Sequence, residues 1–144
     1  QYGSGDWYDW RNRNWGTKWN AYDVHFDQES QSIHFLTAWD TPLLVMDKLS
    51  QMFPEIKMDL QWADEDIGHN VGHIVFLAGE PIDGDIPEGG SREAFEMAFQ
   101  IYGAEAANFD LVLDEKKGTY VYQEPECQIP PPKTKSDKPK EPER

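Results

Sequence analysis

A two-layer α+β sandwich, with an antiparallel sheet and two main helices on one face, is the fold class this sequence predicts. Two observations predict it. Segments of alternating polarity come in adjacent pairs, and two stretches with helical periodicity separate those pairs. No apolar run approaches the roughly 20 residues that a bilayer span requires.

The elements follow in order. In DWYDWRNRNWG, Asp6 caps a short helix, Trp7 and Trp10 fall three apart, and Gly16 supplies a left-handed stop. In AYDVHFD, Tyr22, Val24 and Phe26 face one side, and Ala21, Asp23, His25 and Asp27 the other. SIHFLTAW alternates likewise, with Ile33, Phe35, Thr37 and Trp39 on one face, and QESQ is the hairpin loop between them. DTPLLVMDKLSQMFP is the clearest helix. Asp40 or Thr41 caps it, Pro42 sits in the first turn where its missing N–H does no harm, and Val45, Leu49, Met52 and Phe53 form its apolar stripe. IKMDLQWA is then a strand with Ile56, Met58, Leu60 and Trp62 inward, joined by the polar loop DEDIGHN to its partner VGHIVFLAG. PIDGDIPEGG reads as a Gly/Pro/Asp loop. SREAFEMAFQIYG is a capped helix with Phe95, Ala98, Phe99 and Tyr102 on a stripe and Gly103 as its stop. NFDLVLDEKKGTYVY closes as a hairpin turning at EKKG. The split βαβ, ferredoxin-like arrangement fits this succession.

The 144 residues suit one domain. Residues 1–20 are a short helix and a Trp-rich lead-in, 21–123 the α+β domain, and 124–144 a tail. The tail holds six Pro and only Ile129 as a large aliphatic, too little to offset chain entropy, so it is expected to be disordered. The single cysteine, Cys127, excludes an internal disulfide framework and any zinc site built on several cysteines.

Charge is the most informative bulk property. The formal net charge is −14, and residues 124–144 balance five acidic with five basic side chains, so the whole excess lies in residues 1–123. From Asp59 to Asp110 twelve acidic residues face one base, Arg92. Nucleic-acid binding depends on Lys and Arg neutralising phosphates, so direct contact with nucleic acid is disfavoured.

The run NWGTKWNAYD, preceded by DWYDW and followed by FLTAWDTPLLVMDKLSQMFPEI, resembles the ferredoxin-like domain of YubB-type (Api92-like) plasmid and phage proteins over roughly residues 6–80. The resemblance implies a fold and a mobile-element origin in the bacterial cytoplasm. It carries over no catalytic residue and no cofactor, and it implies a further N-terminal region before residue 1.

Three constellations are candidate sites. In the aromatic motif, Trp15 and Trp19 flank Lys18 with Asn20 and Trp39 near, either as a surface for a ligand or partner or as a knot that starts the domain. Pairing Val24 with Phe35 sets Asn20 opposite Trp39 and lines that end with large rings, which favours the knot, with Lys18 and Asn20 exposed. In the same register His25 lies opposite His34, a cross-strand pair with two of the four ligands that structural zinc wants. His69 and His73 in HNVGH add no metalloprotease-type spacing. The acidic residues Asp64, Glu65 and Asp66 in the second hairpin loop, with Asp83, Asp85, Glu88, Glu93 and Glu96, form the third group. GTK in WGTKW lacks the glycine-rich lead-in of a phosphate loop.

No catalytic constellation emerges. The expected function is non-catalytic protein binding, with the acidic surface docking on a basic host protein that handles nucleic acid or serves defence, and nucleic-acid mimicry as one form of it. The alternatives are a metal-dependent or small-molecule enzyme on the Trp/His face, or an accessory domain that homodimerises. No cofactor and no membrane partner is expected.

Overall fold

The computed structural model describes residues 6–123, so the 124–144 tail and Cys127 lie outside the described residues. The chain is α+β. Helix α1 (Trp7–Trp15) leads to strands β1 (Tyr22–Asp27) and β2 (Ser32–Leu36), then α2 (Leu43–Met52) and strands β3 (Met58–Trp62), β4 (Gly72–Leu77) and β5 (Glu80–Asp85). Helix α3 (Arg92–Tyr102), a short 3-10 turn (Ala106–Phe109) and strands β6 (Leu111–Asp114) and β7 (Thr119–Tyr122) complete it.

Local chemistry places most of these elements where the sequence predicts them. Asp6 accepts from the Tyr8 N–H at the start of α1, and Gly16 ends it at φ 76°. Ser91 accepts from the Ala94 N–H at the start of α3, and Gly103 ends it at φ 61°. At the last hairpin turn Asp114 Oδ1 accepts from the N–H groups of Lys116 and Lys117. The core gathers Ile67, Val71, Ala94, Phe95, Ala98, Phe99 and Leu111, with Phe109 and Tyr120 packed against it. The α3 stripe is thus buried as predicted, except that Tyr102 lies at its exposed margin.

Four expectations are corrected. First, the strands do not hydrogen-bond into one sheet. They form three antiparallel sheets, β1-β2, β3-β4-β5 and β6-β7. Second, PIDGDIPEGG is not all loop, since its first half lies in β5. Ala78 and Gly79 both have positive φ, 54° and 84°, as a two-residue hairpin turn of the favoured twist requires, and Leu77 pairs with Glu80 across it. Pro81 is tolerated because β5 is an edge strand with an irregularity at that point.

Third, α2 buries a different side. Its fully buried residue is Ser50, whose Oγ accepts from the Gly79 N–H at 3.0 Å, while Leu49, Met52 and Phe53 are exposed. Pro42 itself occupies the cap position without a side-chain bond, and Asp40 Oδ1 instead accepts from the Thr41 N–H. Helix α2 packs against α1 and β4, and the hydrogen bond to the β4–β5 turn decides which side faces inward. Fourth, the apolar face of the first hairpin is open: Val24, Phe26 and Ile33 are each more than half exposed. Ile56, expected inward on this strand, lies before β3 begins and is exposed, whereas Leu60 is buried.

Candidate functional site

The β3-β4-β5 register assembles an acidic face. Asp59 pairs with Val75 and Val75 with Asp83, while Gln61 pairs with His73 and His73 with Asp85. Side chains directly opposite in a ladder share a face. Asp59, Asp83, Asp85 and His73 therefore project from one side of the sheet. His73 Nε2 lies 3.1 Å from Asp59 Oδ1. Asp83 and Asp85 thus lie in strand β5 and not in a loop, and Asp59, outside the expected acidic group, joins them. The signal for Asp59 was its place between inward Met58 and Leu60. The signal for β5 was the Ala78-Gly79 turn.

The remaining acidic residues divide. Asp64 organises its own loop: Oδ1 accepts from the Asp66 N–H at 3.0 Å and Oδ2 from Asn70 Nδ2 at 3.1 Å. Glu65 and Asp66 are exposed beside it. This loop is tied to the one that carries Glu88, since the Gly90 N–H donates to the Gly68 carbonyl at 2.8 Å and the Ser91 N–H to the Glu88 carbonyl at 3.0 Å. The β3–β4 loop follows Trp62 and Asp85 ends β5, so Asp64, Glu65, Asp66, Asp85 and Glu88 gather at one end of the sheet. Glu93 lies exposed in the first turn of α3. Glu96 is engaged, accepting from Arg92 Nε at 2.7 Å, and that contact raises the Arg92 pKa. The lone base among twelve acids is thus paired within its own helix.

Tyr102 borders this end, its hydroxyl donating to the Asp64 carbonyl at 3.2 Å. Burial, and then the negative charges of Asp64 and Glu65, raise its pKa above the ordinary tyrosine value. A raised pKa means the folded state holds the proton more tightly, so this contribution to stability is complete below pH about 10 and is lost as pH rises through the folded value. Chemical denaturation across alkaline pH should show stability falling there. Tyr102→Phe should show a shallower fall, and an unchanged slope would refute the assignment.

The aromatic motif is more exposed than a knot requires. Trp15 turns away from Lys18 and packs on Trp10 with ring centroids 5.7 Å apart, with the Arg11 guanidinium 5.2 Å from its ring. Lys18 instead lies between Trp19 and Trp39, its Nζ 4.5 and 4.2 Å from the two ring centroids. Trp19 is 41% exposed and Trp39 69%, which corrects the reading of the motif as a knot that starts the domain. Asn20 is exposed, as expected. It does not oppose Trp39, because β1 has an irregularity at Asp23 (φ 51°), pairs Tyr22 with Leu36, and leaves Trp39 beyond the end of β2.

Both tryptophans are held by their turns. Thr17, 3% exposed, donates its hydroxyl to the Trp19 carbonyl at 3.0 Å. Thr37 Oγ1 donates to the Asp40 carbonyl at 2.8 Å across Trp39. Trp39 sits at φ 72°, a left-handed conformation that costs about 1–2 kcal/mol for a residue with a side chain. Two exposed cation–π contacts at about 0.5–1 kcal/mol each only match that strain. Nothing among the described residues then compensates the exposure of the indole.

The histidine pair is brought together and then splayed. His25 and His34 are register partners, as predicted. His25 Nε2 turns to Asp23 Oδ1 at 3.1 Å, and His34 Nε2 to Ser32 Oγ at 3.2 Å, two residues back along each strand. In an antiparallel pair those directions are opposite, so the rings diverge. Ser32 continues through Ser30 to Asp27, a hydrogen-bonded chain that lowers the Asp27 pKa, chiefly through the Ser30 hydroxyl. Among the described residues no group of three or more His, Cys, Asp or Glu converges to hold a metal ion. Likewise, among the described residues no helix is long and apolar enough to cross a membrane.

The helices and antiparallel hairpins make this an α+β domain. The chain belongs to the family described as the ferredoxin-like domain in Api92-like protein, whose profile matches residues 15–105. The matched span runs from the aromatic motif past Gly79 through α3, and leaves β6 and β7 outside it. No curated protein and no solved structure gives a significant match.

Proposed function

We propose that residues 21–123 form a two-layer, ferredoxin-like protein-binding domain without catalytic activity of its own. Its acidic surface docks on a basic protein of a bacterial host, in the cytoplasm, as part of a plasmid- or phage-borne system. The observation that carries this reading is the exposed acidic face of β3-β4-β5, Asp59, Asp83 and Asp85, beside the Asp64–Glu88 end, with the lone base Arg92 taken up by Glu96. Such a face repels polyanions and attracts cationic surfaces. A host protein that handles nucleic acid or serves defence has a surface of that kind, and the acidic face then acts as a partial mimic of a phosphate backbone.

Association of this type is steered by charge, so its on-rate falls steeply as salt rises. The test compares capture from bacterial lysate by the native chain and by a chain carrying Asp59→Asn, Asp83→Asn, Asp85→Asn and Glu88→Gln, at low and physiological salt. The expected result is a set of basic proteins held by the native chain at low salt, released by salt, and not captured by the neutralised chain. Equal capture by the two chains overturns the reading.

A further inference from the structure

We infer that Trp19, Lys18 and Trp39 form a second recognition site, for an extended, proline-rich peptide segment. The site is prebuilt. Two threonine-pinned turns present the two indoles, and both rings rest on one ammonium. Trp39 is held there in a strained backbone conformation and largely in water, an arrangement that folding alone does not reward.

The chemistry on offer is flat aromatic surface together with hydrogen-bond donors. Neither indole N–H has a hydrogen-bond partner among the described residues, and Lys18 brings an ammonium that accepts no bond. A polyproline II segment is the complement of that set. Its pyrrolidine rings stack on aromatic side chains, its carbonyls have no internal donors, and its stiffness limits the entropy lost on docking. Charge rules out the other class of ligand that stacks on tryptophan, because a chain of net charge −14 repels a single-stranded nucleic acid. The site is separate from the acidic sheet face and does not depend on that face binding anything.

The test is an NMR titration of the full chain that follows its indole N–H signals. The probe is a synthetic peptide copying residues 129–140, IPPPKTKSDKPK, which has the required chemistry. The same titration is run on a chain with Pro130→Ser, Pro131→Ser and Pro132→Ser, so that its own proline run cannot compete. The expected result is movement of the Trp19 and Trp39 signals, with Trp7 unmoved, in at least one of the two chains. Trp39→Gly, placed in the chain that responds, should weaken binding about tenfold or more. Its melting temperature should not fall, because glycine relieves the positive φ. Three results overturn the inference: no movement in either chain, undiminished binding by Trp39→Gly, or an oligothymidylate moving these signals in place of the peptide.

Discussion

Phe99→Ala is expected to lower the unfolding free energy by about 3–5 kcal/mol, the cost typical of emptying a buried phenylalanine site. Phe99 is where the α3 face meets the C-terminal elements. Its ring stacks on Phe109 with centroids 5.9 Å apart and meets Tyr120 edge-on at 5.1 Å. Phe95 completes the cluster at 6.3 Å. Removing the ring withdraws contacts from α3, the 3-10 turn and β7 together, and elements joined mainly through one cluster have little freedom to collapse into the gap. Against a typical domain stability of about 5–15 kcal/mol, a loss of this size is a large fraction of the total. Urea denaturation should show a lower midpoint with an unchanged slope. A loss below about 1 kcal/mol would mean that these rings do not hold the core.

Gly68→Ala is the second large effect, expected at about 2–5 kcal/mol, from the left-handed backbone and from overpacking. Gly68 has φ +81°, and a Cβ there would lie 2.5 Å from Cδ1 and Cε1 of Phe95. Phe95 cannot swing aside, because it is buried and touched by the rings of His69, Phe99 and Tyr120. Gly118→Ala separates the two causes. Its φ is +70°, but an added Cβ meets nothing within 4 Å, so only the backbone cost of about 1–2 kcal/mol applies. Equal losses for the two variants would show that the Phe95 contact contributes nothing. Gly68 also sits in the loop that joins the two acidic segments through its carbonyl, so Gly68→Ala should disturb partner capture as well as stability.

The two predictions rest on features of different legibility. The α3 stripe was readable, because Phe95, Ala98 and Phe99 recur at helical spacing between a serine cap and a glycine stop, and such signals are local. The same holds for α1, for the EKKG turn and for the His25–His34 register, which follows once the loop length is known. Strand β5 was obscured by Pro81 and Gly84, residues that usually break strands but are admitted on an edge. The α2 stripe misled because Leu49 and Met52 have helical spacing, whereas the inward side is chosen by a Ser50 hydroxyl reaching a turn 29 residues away.

By itself the sequence determined the α+β class, the caps and stops of α1 and α3, most strand positions and the acidic excess, since each depends on neighbours along the chain or on composition. Tertiary structure alone decided which carboxylates share a face. Asp59, Asp83 and Asp85 come from strands paired through β4, while Asp64 and Glu96 are drawn into local bonds that take them partly out of use. It also decided that Trp39, and not Trp15, stands across Lys18 from Trp19. The irregularity at Asp23 and the left-handed Trp39 beyond the end of β2 leave no trace in a period-two pattern.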